Sequence, residues 1–332
     1  MPPSEEIILY HYTFSPYAKR VVWYLNLRNI PYTQCLQPPI LPRPTVSSIG
    51  TSYRRIPILS IGKDIYNDTR LILSKLTHLY PPSPSHPSLT TTSFNAGFEK
   101  LLEFWSVNGL FARAAALIPK EMPLLRDEKF RRDREDFTGT SWEPEAVERG
   151  RSEALVEIRN AFELLETTVL ADGREWIAGG EGPGMADIEA VWPFHWLTTL
   201  KGALPPSLIS STQYPKVFAW ISRFDTATRA AAKKAGKAKT IKGEEAVGIM
   251  QKAGFAEGEL GVEEGDPSGL KKGEWVEVWP TDSGSRHRDR GRLVGLSAKE
   301  IVVETEEGEV KGVRVHAPRH GFRVRRVEGG KL

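Results

Sequence analysis

The stretch YHYTFSPYAKRVVWYL, Tyr10 to Leu25, decides how the chain begins to fold. Ile7 to Tyr12 is short, β-branched and aromatic, the composition of a strand, whereas Tyr17 to Arg28 repeats apolar residues at helical spacing through Val21, Val22, Tyr24 and Leu25. Ser15-Pro16 sits between them, where a strand turns sharply into a helix. Pro31 to Leu36 reads as a second strand, so a βαβ unit opens the chain. The following QPPILPRPTVSSIGTSYRR carries four prolines, which argue against a regular helix there. Ile56 to Ile61 and Asp64 to Tyr66 form a hairpin pattern about Gly62, and Asp68 then opens a helix through Ile72, Leu73 and Leu76 to Tyr80. YPPSPSHPSL reads as a linker.

From Thr92 the texture changes to long helical patterns: Phe94 to Ile118, Glu145 to Leu170, Met185 to Leu200 and Pro215 to Ala232. The charged RDEKFRRDREDF between the first two reads as a solvated helical extension, and the small, basic AKKAGKAKTIK after the last as a surface tether. Glu244 to Gly254 has the pattern of a further helix, and EGELGVEEGDPSG that of a second linker. Beyond it GEWVEVWP, GRLVGL, EIVVET, EVKGVRV and HGFRVRRV alternate with glycine-marked turns, the pattern of a small SH3-like barrel. The expected organisation is therefore an α/β domain over residues 4–80, an all-helical domain over 92–232, a tether with a helix over 233–268, and a small all-β module over 269–328. No internal repeat is present.

Composition narrows the function. The 332 residues carry 45 basic and 42 acidic side chains, a net charge of +3, which gives little reason to expect nucleic-acid or membrane binding by the whole chain. The arginines of the C-terminal module are interleaved with acids such as Asp282, Asp289, Glu304 and Glu306. The single cysteine, Cys35, forbids an intramolecular disulfide and any multi-cysteine zinc site, and its place on a strand suits a small buried hydrophobe. MPPSEEIILY lacks a basic n-region and no apolar run reaches the length of a membrane span, so a cytoplasmic protein is expected. No metal-ligand spacing, phosphate-cradling loop or Ser-His-Asp order stands out among the seven histidines.

Three places carry chemistry. A helix N-terminus favours negative charge, and a hydroxyl at Ser15 that donates to a sulfur there stabilises the thiolate, the nucleophilic form. Equally, Ser15 is an ordinary N-cap with Pro16 in the first turn. Ile56-Pro57 precedes a strand, where the proline frees the preceding backbone from the ladder and leaves Ile56 able to pair with an extended peptide. Asp68-Thr69 at the next helix start offers a carboxylate for an ammonium, with amides and a hydroxyl for a carboxylate. Singly, each is also a commonplace turn proline or capping residue.

Taken in order, FSPYAKRVVWYLNLRNIPY, RRIPIL and NDTRLI resemble the N-terminal domain of the cytosolic glutathione transferases, nearest to the serine-type tau, omega and zeta groups, and WIAGGEGPGMADIEAVWP with YPKVFAWISRF resembles their helical domain. The basic, glycine-marked extension is similar to that of certain fungal transferases. The resemblance covers roughly Ile7 to Ala232. It implies a thioredoxin-like first domain, Ser15 as the thiol-activating residue, Ile56 and Pro57 as the backbone clamp, Asp68 and Thr69 at the γ-glutamyl group, and Arg54 or Arg55 neutralising the glycyl carboxylate or a nearby backbone carboxylate. It further implies a homodimer acting on an electrophilic hydrophobic small molecule, by conjugation or by glutathione-dependent isomerisation. The chain departs from the family in having Asp-Thr where Glu-Ser is usual, and Gly184 where a Ser or Thr precedes Asp187, which retains the look of a capping-box acid. For the second substrate the candidates are Tyr12, Phe14, Tyr17, Trp105, Phe111 and Arg113. His195, beside Trp192 and Trp196, reads as a satisfied buried histidine. The alternative is a non-catalytic scaffold or ligand carrier of the same fold, with the barrel as its interaction module.

Overall fold

The computed structural model describes residues 2–327. β1 (Ile7–His11), α1 (Pro16–Leu27) and β2 (Thr33–Leu36) form the expected crossover, with β1 and β2 parallel. A one-turn helix, α2 (Pro44–Ser48), lies inside the proline-rich stretch that was expected to hold none, because Pro44 occupies its first position, where no N–H is needed. β3 (Ile58–Ile61) runs antiparallel to β1 and turns at Gly62 into β4 (Asp64–Asn67), and α3 (Thr69–Leu79) follows. Gly62 has φ 58°, and a Cβ there would lie 2.3 Å from the Gly254 carbonyl oxygen, so the hairpin closes only with glycine.

β1 is apolar on both faces because both are covered. Ile7 and Leu9 join the core shared with α1, α3 and the helical region, whereas Ile8 and Tyr10 join a second core. The helices are α4 (Ser93–Phe104), α5 (Phe111–Ala115), α6 (Glu128–Thr138), α7 (Pro144–Arg149), α8 (Arg151–Leu164), α9 (Met185–Thr199) and α10 (Pro215–Ala235). The single helix expected over 94–118 is interrupted by a π-turn at Trp105–Leu110, and the one over 145–170 divides into α7, α8 and a π-turn at Leu165–Val169. Asp187 caps the central helix α9, accepting the N–H groups of Gly184 (2.9 Å) and Ile177 (3.0 Å) and the indole N–H of Trp220 (2.7 Å).

Two stretches read as surface connections are built into the structure. The basic tether continues α10 and then forms β5 (Lys239–Ile241), which extends the sheet beside β2. α11 (Gly243–Lys252) follows, and the acidic linker contributes β6 (Gly261–Val262), which pairs with Gly295 and Leu296 of a later strand. The charged helix α6 is not free in solvent: Asp133 accepts the Leu41 N–H at 2.9 Å and Arg54 at 2.8 Å.

The C-terminal strands β7 (Trp275–Pro280), β8 (Asp289–Leu296), β9 (Glu300–Thr305), β10 (Val313–Pro318) and β11 (Phe322–Arg326) form where the alternation placed them, but not as a closed SH3-like barrel. They make one open sheet with the N-terminal strands, in the order β11-β7-β8-β9-β10-β4-β3-β1-β2-β5. The join is a parallel ladder, Arg314 beside Asp64, Val315 beside Ile65 and His316 beside Tyr66. The final residue of the expected 269–328 segment, Glu328, lies outside the described residues. No helix among the described residues is long and apolar enough to cross a membrane.

Candidate functional site

Leaving β1, the chain reverses so that the Ser15 N–H reaches the Tyr12 carbonyl at 3.1 Å. Ser15 has extended backbone angles (φ −67°, ψ 121°), and its Oγ accepts the Ala18 N–H at 3.2 Å, the geometry of an N-cap. The hydroxyl oxygen therefore serves α1 while the hydroxyl proton remains available to an acceptor in the cleft that Ser15 lines. Capping and thiol activation are compatible in one side chain.

Ile56 and Pro57 line the same cleft, joined by a cis peptide bond, and Ile56 lies outside the β3 ladder, which begins at Ile58. Across from them α3 starts at Asp68, a non-glycine residue at φ 71°. The Asp68 carboxylate is already engaged: Oδ1 accepts the Arg70 N–H (3.0 Å) and Nε–H (2.9 Å), and Oδ2 accepts Arg70 Nη2 (3.0 Å). Burial alone would push this carboxyl up; the Arg70 guanidinium, its hydrogen bonds and nearby Arg55 outweigh that and hold it below the usual carboxylate range. Thr69 Oγ1 accepts Arg20 Nη1 at 2.7 Å, and Arg20 pairs in turn with Glu189 of α9, so the start of α3 is bolted to α1 and the helical region.

The two arginines read as carboxylate partners separate. Arg54 is buried and committed to α6, paired with Asp133 and Asp136, with its guanidinium 5.1 Å from the centre of the Phe137 ring. Arg55 reaches the C-terminal module, donating to the Ser283 carbonyl (Nε 3.1 Å, Nη2 2.6 Å) and to Asp282, with Nη1 3.9 Å from Asp68 Oδ2.

Ser15, Arg54, Arg55, Ile56, Pro57, Asp68 and Thr69 line one cleft of about 1550 Å³, whose lining also includes the apolar rings of Phe111, Phe130, Phe137, Trp142 and Trp196. Tyr12, Phe14 and Tyr17 line it beside Ser15; Tyr17 packs on Phe111 and Trp192 with ring centres 4.7 and 4.6 Å away. Trp105 and Arg113 are not among the lining residues. Trp105 turns toward Phe194 in the helical core and Arg113 lies exposed on α5, beyond the π-turn that interrupts the expected single helix.

Arg43, Arg70, Asp282 and His320 also line the cleft and were not identified from the sequence. Arg43 is 6% exposed and donates to the carbonyls of Pro38, Pro39 and Arg54, with no carboxylate in ion-pair distance among the described residues; burial pushes its guanidinium down to about 10. A lone arginine among prolines gives no pattern to recognise. Asp282, in the turn TDSG after β7, resembles any polar loop residue. The remaining reactive types are structural: burial pushes the Cys35 thiol up to about 11 away from the cleft, and His195 Nε2 meets Asp225 at 3.0 Å while its ring packs against Trp23.

Residues 9–84 match the family described as glutathione S-transferase, N-terminal domain, and residues 113–233 match a domain of unknown function, DUF7962. No curated protein matches the chain. Among solved structures, a GST-like protein from Pseudomonas syringae superposes with TM-score 0.68 at 22% identity, covering 97% of this chain and 100% of its own. Human glutathione-S-transferase T1-1 in its apo form superposes with TM-score 0.50 at 18% identity, covering 74% of this chain and 95% of its own. These likenesses establish the fold: a thioredoxin-like domain followed by the helical domain, with the C-terminal strands included in the first of them.

Proposed function

We propose that this chain is a glutathione-dependent transferase. The cleft binds glutathione with its thiol at Ser15 and the α1 N-terminus, its backbone along Ile56-Pro57, and its amino-acid end at Asp68-Thr69. The Ser15 hydroxyl donates to the sulfur and, with the α1 amides, favours the thiolate. That thiolate attacks an apolar electrophile held against Phe111, Phe130, Phe137, Trp142 and Trp196, either forming a conjugate or adding reversibly so that an unsaturated bond can isomerise.

One observation carries the reading: three peptide-recognising features from separate parts of the chain, two helix N-termini and the Ile56-Pro57 turn, converge on one cleft with an aromatic wall. The match of residues 9–84 supports it. The scaffold alternative needs an interaction module standing apart from the pocket, and the C-terminal strands are instead continuous with the sheet that carries the pocket.

Calorimetric titration with glutathione tests the reading. Asp68→Asn, which tolerates the positive φ but loses the charge holding Arg70, weakens binding about tenfold, or ~1.4 kcal/mol. Wild-type protein that takes up no glutathione, or equal affinities in the two proteins, would refute it.

A further inference from the structure

The acid expected to hold the ligand's ammonium has little acceptor capacity left. Arg70 takes up both Asp68 oxygens and balances the charge, so an ammonium arriving there meets a carboxylate already paired. A second carboxylate opens into the same cleft. Asp282 contacts Arg55 through Oδ1, its side chain is 68% exposed, and its Oδ2 has no hydrogen-bond partner among the described residues.

The C-terminal module meets two of the arginines that line the cleft, Arg55 and Arg70. Ser283 and Asp282 hold Arg55 by Nε and Nη2, leaving Nη1 free toward Asp68. On the other side Gly321 lies against Arg70: a Cβ at this residue, whose φ is 76°, would come within 3.0 Å of Arg70 Nη2 and 3.2 Å of Nη1. Asp68, Arg55, Asp282 and Arg70 together form a set of two cations and two carboxylates. Such a neutral set matches a zwitterion; a dicarboxylate or a plain amine would leave net charge unmatched.

We propose that Asp282, from the C-terminal module, receives the α-ammonium of the γ-glutamyl end, while the free N–H groups of Arg55 and Arg70 receive the α-carboxylate. This rests on the glutathione reading above and adds to it a binding residue about 210 positions from Asp68 in sequence, supplied in cis. The C-terminal module is then a wall of the substrate site.

The test is calorimetry of wild type, Asp282→Asn and Gly321→Ala with two ligands, glutathione and its desamino analogue γ-glutaryl-cysteinyl-glycine, which lacks only the ammonium. Asp282→Asn weakens glutathione about tenfold and leaves the analogue within twofold of wild type. Gly321→Ala, which presses on Arg70, weakens both. Unchanged glutathione affinity in Asp282→Asn overturns the proposal. So does an equal loss for both ligands, since Asp282 would then act only as a brace for Arg55. Unaltered binding in Gly321→Ala removes Arg70 from the carboxylate site. Absence of glutathione binding to wild type overturns the underlying reading, and a wild type that binds while Asp282→Asn binds equally overturns only this inference.

Discussion

Replacing Ser15 by alanine separates the N-cap it forms from the thiol-activating role proposed for it. The hydroxyl oxygen accepts the Ala18 N–H at 3.2 Å, so alanine removes an N-cap and costs about 1 kcal/mol of stability. The hydroxyl proton is the part left for the ligand's sulfur. A hydrogen bond to a charged acceptor contributes about 1.5–3 kcal/mol, which at ~1.4 kcal/mol per unit corresponds to about 1–2 units of thiol pKa. The α1 amides stay in place in the variant, so the thiolate keeps the part of its stabilisation that comes from the helix N-terminus. The assay is the ultraviolet absorbance of the thiolate in the glutathione-saturated protein across a pH series, with calorimetry and a denaturation curve on the same sample. Wild type titrates below free glutathione, and Ser15→Ala titrates about 1–2 units above wild type with nearly unchanged affinity for the protonated ligand. Coincident titrations alongside the expected loss of stability would leave Ser15 a cap and nothing more.

Two further predictions concern stability. His316 is buried between Asp64 (Nε2, 2.9 Å) and Glu300 (Nδ1, 2.6 Å), with Lys75 bridging Glu300 and Glu257, and the Tyr66 ring 4.7 Å away; burial opposes the imidazolium, but the two carboxylates outweigh it and raise its pKa. A raised pKa contributes stability that is complete below the unfolded value, ~6.5, and is lost as pH rises through the higher folded value, so wild-type denaturation midpoints fall on the alkaline side. His316→Gln abolishes that alkaline fall and costs about 3–5 kcal/mol by removing the buried cation that Asp64 and Glu300 share; parallel pH profiles for the two proteins would contradict it. Asp187→Asn turns a donor toward one of the N–H groups the carboxylate accepts and costs about 1–3 kcal/mol, with glutathione affinity unchanged in calorimetry; a loss of affinity without a loss of stability would place Asp187 in the site instead.

Where local pattern determines local structure, the sequence was legible. β1 announces itself by a continuous apolar run because it is buried on both faces, and the C-terminal strands by short β-branched runs set between glycine-marked turns. What escaped were pairings between distant residues. Only Ile241 of β5 is buried, so a basic, small-residue stretch gave no sign that it would pair with β2. α6 reads as solvated because the partners of Asp133 lie in the loop before α2 and at Arg54, both of them far earlier in the chain. The barrel was misread for the same reason. A run of strands between glycine turns reports where strands form but not which edge meets which, and the ladder that decided the architecture joins β10 to β4, with His316 and Asp64 252 positions apart. Among the residues that line the cleft, Ser15, Pro57 and Asp68 were legible from turn and capping chemistry; Arg70 and Asp282 were not, because what brings them to the cleft is what the folded chain sets against them.

The same join bears on why Asp68 can hold its conformation. A non-glycine residue at φ 71° costs on the order of 1–3 kcal/mol and persists only where its surroundings over-determine it. The surroundings here are largely C-terminal. β4 ends at Asn67, immediately before Asp68, and Asn67 Nδ2 reaches Asp289 of β8 at 3.2 Å; that same Asp289 accepts Thr51 Oγ1 at 2.8 Å and the Ser52 N–H at 2.7 Å, fixing the loop that leads to Arg54 and Arg55. At its other end β4 is held at Asp64 by His316 and by the N–H groups of Ala256 (2.7 Å) and Glu257 (3.1 Å). Both ends of the strand that delivers Asp68, and the loop that delivers Arg55, are therefore fixed by residues beyond position 250. Because that bracing, with the β10–β4 ladder, holds the strand and the loop from which Asp68 and Arg55 reach the cleft, the C-terminal strands are as much part of the pocket as the turn at Ser15.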